Sequence, residues 1–289
     1  MRVALLGLGL IGGSLGLALR AERPEIEVVG WDPDPAALAL ARERGAIARE
    51  AADPAAAVAD ADRVVLAAPV GAFPALFAAI APCLRPEAVV TDVASTKAAV
   101  TAWASNAGLN FVGGHPMAGS EQVGVAHARA DLFRGAAWCV TPPPSADPAA
   151  VAAVEALATS VGARPLRLDP STHDAFVAAV SHLPFATSAA LVSLTTADPR
   201  WAQMAPLAAT GYRDATRLAS GSPAMYRDIC LTNQEAIAPL LRHLAATLTT
   251  LADQLDDPQA VEAFFTRARD ARDTWLAARD HLRMPHPSR

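Results

Sequence analysis

Near its start the chain carries an apolar run, Arg2–Leu6, then glycines at 7, 9 and 12, then a helical pattern from Gly13 to Arg20. The spacing predicts strand, tight turn and helix. Gly7 permits the turn, Gly9 lets the backbone approach a pyrophosphate, and Gly12 lets helix pack on strand, while free N–H groups at the helix start face the anion. A second β-type run, Glu27–Trp31, ends at Asp32. It lies about 20 residues beyond the turn, where a carboxylate accepts from a ribose 2′-hydroxyl and repels a 2′-phosphate, so the cofactor reads as NAD rather than NADP. Asp32 has a second role open to it, capping a helix over Ala36–Arg44, which Asp34 of the Asp-Pro-Asp-Pro stretch can fill instead.

The alternation then repeats, with helix Asp53–Asp60, strand Arg63–Ala67, helix Phe73–Ile80 and strand Ala88–Thr91. Strands alternating with helices predict an α/β fold with a Rossmann-type, doubly wound parallel sheet. Pro69 closes one strand at the edge where such sheets hold ligands. The candidate cofactor residues are therefore Gly7, Gly9, Leu10, Ile11, Gly12, Asp32 and Pro69. At the next strand end, Asp92-Val-Ala-Ser-Thr-Lys97 opens a helix through Trp103. Ser95 or Thr96 can cap that helix, and Ser95 can equally face the nicotinamide end of the cofactor. Lys97 can be a site cation or a solvated helix residue, and the solvated reading is the simpler.

A strand over Leu109–Val112 leads into Gly113-Gly-His-Pro-Met-Ala-Gly-Ser-Glu121. The glycines suit close backbone approach and Pro116 restricts His115 to extended or turn geometry, which predicts a fixed loop carrying a histidine, structural or functional. Strands Ala136–Thr141 and Arg164–Leu168, flanking a helix over Ala149–Val161, complete a first domain over 1–169; the three prolines after Thr141 make a stiff surface connection. From Pro170 to 289 only helical patterns follow: Ser171–Thr196, kinked or split at Pro184, then Trp201–Leu207, Pro223–Leu251 and Pro258–Leu282. That half reads as an all-α dimerisation domain.

Composition narrows the function. A net charge of −5 gives no basic footprint for nucleic acid. The apolar runs are broken by Gly, Pro or charge before the roughly 20 residues that span a bilayer, and the N-terminus lacks a signal-peptide pattern, so a cytoplasmic protein is expected. Cys83, Cys139 and Cys230 lack metal-ligand spacing and read as reduced thiols.

Taken in order, Gly7–Ser14, Asp92–Lys97, Gly113–Glu121 with Gly124-Val125, His173-Asp174, Val180-Ser-His-Leu-Pro184 and Gly211-Tyr-Arg-Asp-Ala-Thr-Arg217 resemble the prephenate dehydrogenase family, which includes arogenate and cyclohexadienyl dehydrogenases. The resemblance covers nearly the whole chain. It implies NAD-dependent oxidation of a ring carbinol followed by loss of CO2, with His115 accepting the hydroxyl proton and Ser95 hydrogen-bonding at that hydroxyl. A neutral imidazole suits the task, its ordinary pKa being about 6.5. Arg217 is implied to bind a substrate carboxylate, with Arg213 and Ser181 as further substrate contacts, and Glu121, Asp174 and Arg213 as a charged set near the entrance. His182 is open between a buried structural role and substrate contact; His173 between a role in the site and a simple capping or solvent role. Phe185 departs from the pattern, since many members carry a second histidine there that contacts the substrate side chain. The substrate is then prephenate or arogenate. Tyr226 stands where tryptophan is common. A small-molecule substrate and a homodimer are implied, and the chain has no room for an added mutase or regulatory domain, so a monofunctional enzyme is expected.

Overall fold

The computed structural model describes residues 1–120 and 122–282. Of these, the residues up to 237 form one compact unit and those from 238 on a second. Five strands, β1 (Arg2–Leu6), β2 (Glu27–Trp31), β3 (Arg49–Glu50), β4 (Arg63–Leu66) and β5 (Val89–Asp92), make a parallel sheet in the order β3-β2-β1-β4-β5. Helices α1 (Leu10–Glu22), α2 (Pro35–Glu43), α3 (Pro54–Val58) and α4 (Phe73–Ile80) connect these strands, and α5 (Ala98–Asn106) follows β5. Alternate residues of β1 enter opposite cores, Val3 and Leu5 one, Ala4 and Leu6 the other. A strand buried on both faces must be apolar throughout, which is why Arg2–Leu6 reads as a continuous run and not an alternation.

Next to β5 a single parallel bridge joins Val90 to Phe111. The regular strand begins later than the apolar run Leu109–Val112 suggests. It is β6 (Gly113–Pro116), antiparallel to β7 (Ala137–Thr141), which pairs in parallel with β8 (Arg164–Arg167) across α6 (Pro148–Ser160). Glycine is required at its start, because a Cβ at Gly113 would lie 2.3 Å from Thr141 Oγ1 and one at Gly114 2.5 Å from the Asp92 carbonyl oxygen. His115 thus sits within a buried strand, opposite Cys139, and not on a loop.

After β8 the described residues are helical or irregular: α7 (Pro170–Val177), α8 (Leu183–Thr196), α9 (Trp201–Met204), α10 (Thr210–Thr216), α11 (Pro223–Thr232), α12 (Gln234–Asp253) and α13 (Pro258–Leu282). Pro184 splits the first long pattern as expected, through a π-helical turn over Ala178–His182 that leaves the proline in the first turn of α8. There its missing N–H costs no helical bond. The pattern expected over Pro223–Leu251 breaks at Asn233, where α11 ends.

By length and composition Pro170–Thr196 could cross a membrane. It nevertheless carries His173, Asp174 and His182, all buried and bonded to groups within residues 1–237.

Candidate active site

The glycine turn is built as its spacing predicts. Gly7 has φ +103°, and a Cβ there would lie 2.6 Å from the Ala67 backbone; one at Gly12 would lie 2.0 Å from the Gly7 carbonyl oxygen. At Gly9, the N-cap of α1, a Cβ would meet nothing within 4 Å. Gly7 and Gly12 therefore serve the protein's own packing, whereas Gly9 leaves room outside it. With Leu10 and Ile11 it faces the open start of α1, where free N–H groups and the helix dipole favour an anion.

Asp34 caps α2, accepting from the Ala36 N–H at 2.9 Å, so Asp32 is released from that role. Its carboxylate is held by the Leu8 N–H at 2.7 Å and the Asp34 N–H at 2.9 Å, at the C-terminal end of β2 beside the glycine turn. Two oxygens with one protein donor each keep lone pairs for ribose hydroxyls. Pro69 begins the short 3₁₀ turn Val70–Ala72 after β4. These residues, all at one edge of one sheet, fit a dinucleotide.

The end of β5 departs from the capping its sequence suggests. Neither Ser95 nor Thr96 caps α5. The N-cap is Lys97, and the carboxylate of Asp174, reaching across from α7, accepts from the Lys97 N–H at 2.7 Å and the Ala98 N–H at 2.8 Å. Thr96 instead bonds Thr232 at 2.9 Å, and Ser95 is half-buried in the bend between β5 and α5. Lys97 is no solvated side chain either. It is fully buried and paired with Asp92, whose other oxygen accepts from the Gly114 N–H at 3.0 Å. Burial pushes the Asp92 carboxyl up and the Lys97 ammonium down, toward the neutral forms. Breaking such a pair strands a buried charge.

The same Asp174 anchors an imidazole chain. Its Oδ1 lies 2.8 Å from His173 Nδ1, and His173 Nε2 lies 2.9 Å from His115 Nδ1. A carboxylate at an N-terminal cap only accepts, so His173 carries its proton on Nδ1 and offers Nε2 as an acceptor; His115 must then donate from Nδ1. Nε2 of His115 is left with a lone pair. Burial, and then the proximity of His173, Lys97 and His182, hold the His115 pKa well below its ordinary value, so the ring is neutral. Asp174 thus lies in the interior, 4% exposed, not at an entrance, and His173 is fully buried while Asp169 caps its helix.

His182 and Ser181 lie on the π-helical turn, His182 fully buried and Ser181 half-buried. Burial pushes His182 down to about 4. Its ring tilts against Phe185 at 5.8 Å, and Phe185 stacks on Tyr226 at 4.0 Å with planes 9° apart. Tyr226 donates to the Leu218 carbonyl at 2.8 Å and senses the charge of Arg217. Arg217 is exposed at the end of α10, and so is Arg213, its guanidinium 3.2 Å from Asp214. Glu121 lies outside the described residues.

Two family models match the chain: the nucleotide-binding domain of prephenate dehydrogenase over residues 15–166 and its dimerization domain over residues 169–268. The chain belongs to the prephenate dehydrogenase family. It is 34% identical to the prephenate dehydrogenase of Bacillus subtilis over 278 residues, covering 94% of this chain and 75% of that one. Among solved structures it resembles prephenate dehydrogenase from A. aeolicus in complex with hydroxyphenyl propionate and NAD+, with TM-score 0.89, 27% identity, and 95% and 98% of the two chains covered. Synechocystis arogenate dehydrogenase is also similar, with TM-score 0.81, 29% identity, and 95% and 100% covered.

Within this prephenate dehydrogenase fold, Lys97, His173 and Asn233 join the site without a functional role assigned from the sequence, and Asp174, expected in a charged set near the entrance, joins it from the interior. One signal was available. Asp169 already satisfies the first N–H groups of α7, bonding Ser171 and Thr172 at 3.1 and 2.9 Å, so the second acid, Asp174, was free for a longer-range task. No local pattern announces Asn233.

Proposed function

We propose that this chain catalyses the NAD-dependent oxidative decarboxylation of prephenate to 4-hydroxyphenylpyruvate, a step toward tyrosine. The observation that carries the reading is the His115–His173–Asp174 chain, which leaves a neutral imidazole with a bare Nε2 on the strand that follows the nucleotide-binding sheet. His115 accepts the hydroxyl proton of the ring carbinol at Nε2; the positive charge that develops is shared through His173 toward Asp174. Ser95, at the end of β5, hydrogen-bonds at the same hydroxyl. Arg217 holds a substrate carboxylate with a planar fork that stays charged, and Arg213, Ser181 and His182 complete the substrate contacts. Gly9, Leu10 and Ile11 would hold the cofactor pyrophosphate on the turn that Gly7 and Gly12 shape, Asp32 would bind the adenosine ribose and Pro69 would line the crevice. Bound NAD+ supplies the hydride acceptor. Once the carbinol is a ketone, the para carboxylate leaves as CO2 because its departure makes the ring aromatic.

Residues 1–169 serve as the cofactor domain and 170–289 as the substrate and dimerisation domain of a cytoplasmic homodimer. A second reading, arogenate as substrate, is favoured by one observation: Phe185 is packed face to face on Tyr226 and offers no donor to the pyruvyl keto oxygen, which arogenate replaces with an ammonium group. The test is direct. Purified protein with NAD+ and either substrate should form NADH, seen by its near-ultraviolet absorbance, with the larger kcat/KM for prephenate. A larger value for arogenate would replace the substrate, and no turnover of either would remove the function.

A further inference from the structure

His182 is held in a way that the reaction outlined above does not explain. Its Nδ1 lies 3.2 Å from Nδ2 of Asn233, the residue at the break between α11 and α12, and the same Nδ2 donates to the Asp174 carbonyl oxygen at 2.9 Å. The carbonyl settles the orientation of the amide. It can only accept, so the group facing it is the NH2 and not the oxygen, and the second hydrogen of that NH2 points at His182. His182 Nδ1 must therefore accept, which places the ring proton on Nε2. That Nε2 is buried and meets no protein partner among the described residues. A buried donor without a partner costs about 1–3 kcal/mol, and the π-helical turn that presents it is a feature found often at functional sites. His182 also lies close enough to His115 to depress its pKa.

We infer that Asn233 is a positioning residue: it fixes His182 as a neutral Nε2–H donor, aimed at an oxygen of the substrate that His115 deprotonates. The inference rests on the proposed reaction for its ligand, not for its geometry. Asn233 ties two parts of the site together, since the amide that orients His182 also braces the peptide of Asp174, whose carboxylate orients His173. Two imidazoles of one site thus receive opposite tautomers, His115 as acceptor and His182 as donor at Nε2.

The experiment reads the tautomer first. Nitrogen-15 spectra of the histidine side chains of the full chain should show His182 protonated at Nε2 and bare at Nδ1. In Asn233→Asp, whose carboxylate accepts from Nδ1, the proton should move to Nδ1. A wild-type His182 protonated at Nδ1 overturns the inference, whatever the enzyme turns over. Kinetics read the ligand. His182→Phe keeps a ring without a donor and should raise the substrate KM about 10- to 100-fold, as expected for a lost hydrogen bond to a charged group, with kcat and the KM for NAD+ within about threefold. His182→Gln, which can return an N–H near the same place, should recover most of the loss. Equal KM values in wild type and His182→Phe overturn the inference even if Asn233→Asp fails to fold. A wild-type protein with the stated tautomer but no turnover of prephenate or arogenate would overturn the proposed reaction and leave the Asn233–His182 assignment standing.

Discussion

Replacing His173 tests the imidazole chain where it is thinnest. The ring receives one hydrogen bond from His115 at 2.9 Å and gives one to Asp174 at 2.8 Å, and it has no solvent exposure. His173→Phe keeps the ring volume and removes both bonds. The bond to His115 strengthens as that ring becomes cationic, and a hydrogen bond to a charged group is worth about 1.5–3 kcal/mol, so kcat should fall about 10- to 150-fold from this alone. A freed His115 can also adopt the tautomer with its proton on Nε2, where it cannot act as a base, which deepens the loss. His173→Gln restores an acceptor for His115 and should fall by less. The stability cost has a separate origin: Asp174 loses one of its three donors but keeps the Lys97 and Ala98 N–H groups, so urea unfolding should show a loss of only about 1–3 kcal/mol. The assay is NADH formation at saturating substrate and NAD+, beside urea curves for each variant. A His173→Phe enzyme with kcat within twofold of wild type, or a glutamine variant no better than phenylalanine, would refute the chain as a catalytic support.

Three other outcomes follow from the same geometry. Lys97→Met leaves the fully buried Asp92 carboxyl without its cation and should cost about 3–5 kcal/mol in urea unfolding; a cost below 1 kcal/mol would mean that the carboxyl takes up a proton once the ammonium is gone. His182 titrates near its ordinary value when unfolded and at about 4 when folded, so the unfolded chain binds its proton first and stability falls as pH drops from about 6.5 toward 4. The full loss is about 3 kcal/mol by pH 4, with His115 adding in the same direction, and His182→Gln should flatten the curve. Asp32→Ala removes the carboxylate that faces the ribose and should shift the NAD/NADP preference toward NADP; an unchanged ratio would place the ribose elsewhere.

What the sequence revealed and what it hid divide along physical lines. The glycine turn was legible because its requirements are local: Gly7 and Gly12 are forced by backbone within the same βαβ unit, and Asp34 satisfies its own helix. Pro184 announced a break, though not the π-helical turn that accommodates it. The errors arise where a polar group is satisfied from far along the chain. Ser95 and Thr96 looked like caps of α5 because they precede it, whereas the N–H groups are taken by Asp174, 77 residues from Lys97. Lys97 looked solvated because nothing in its own helix shows that Asp92 waits beneath it. The strand bearing His115 was placed too early because apolar residues mark burial, while Gly113 and Gly114 are buried for want of space and carry no apolar signal.

The most direct test of the account is the rate of His115→Asn. The substitution keeps a polar group of similar size and removes the bare Nε2 that the chain from Asp174 prepares. The account predicts kcat reduced about 10²- to 10⁴-fold, the usual worth of a general base, with NAD+ affinity unchanged. Turnover within a few-fold of wild type, with NAD+ binding intact, would contradict it, because no base would then have been lost.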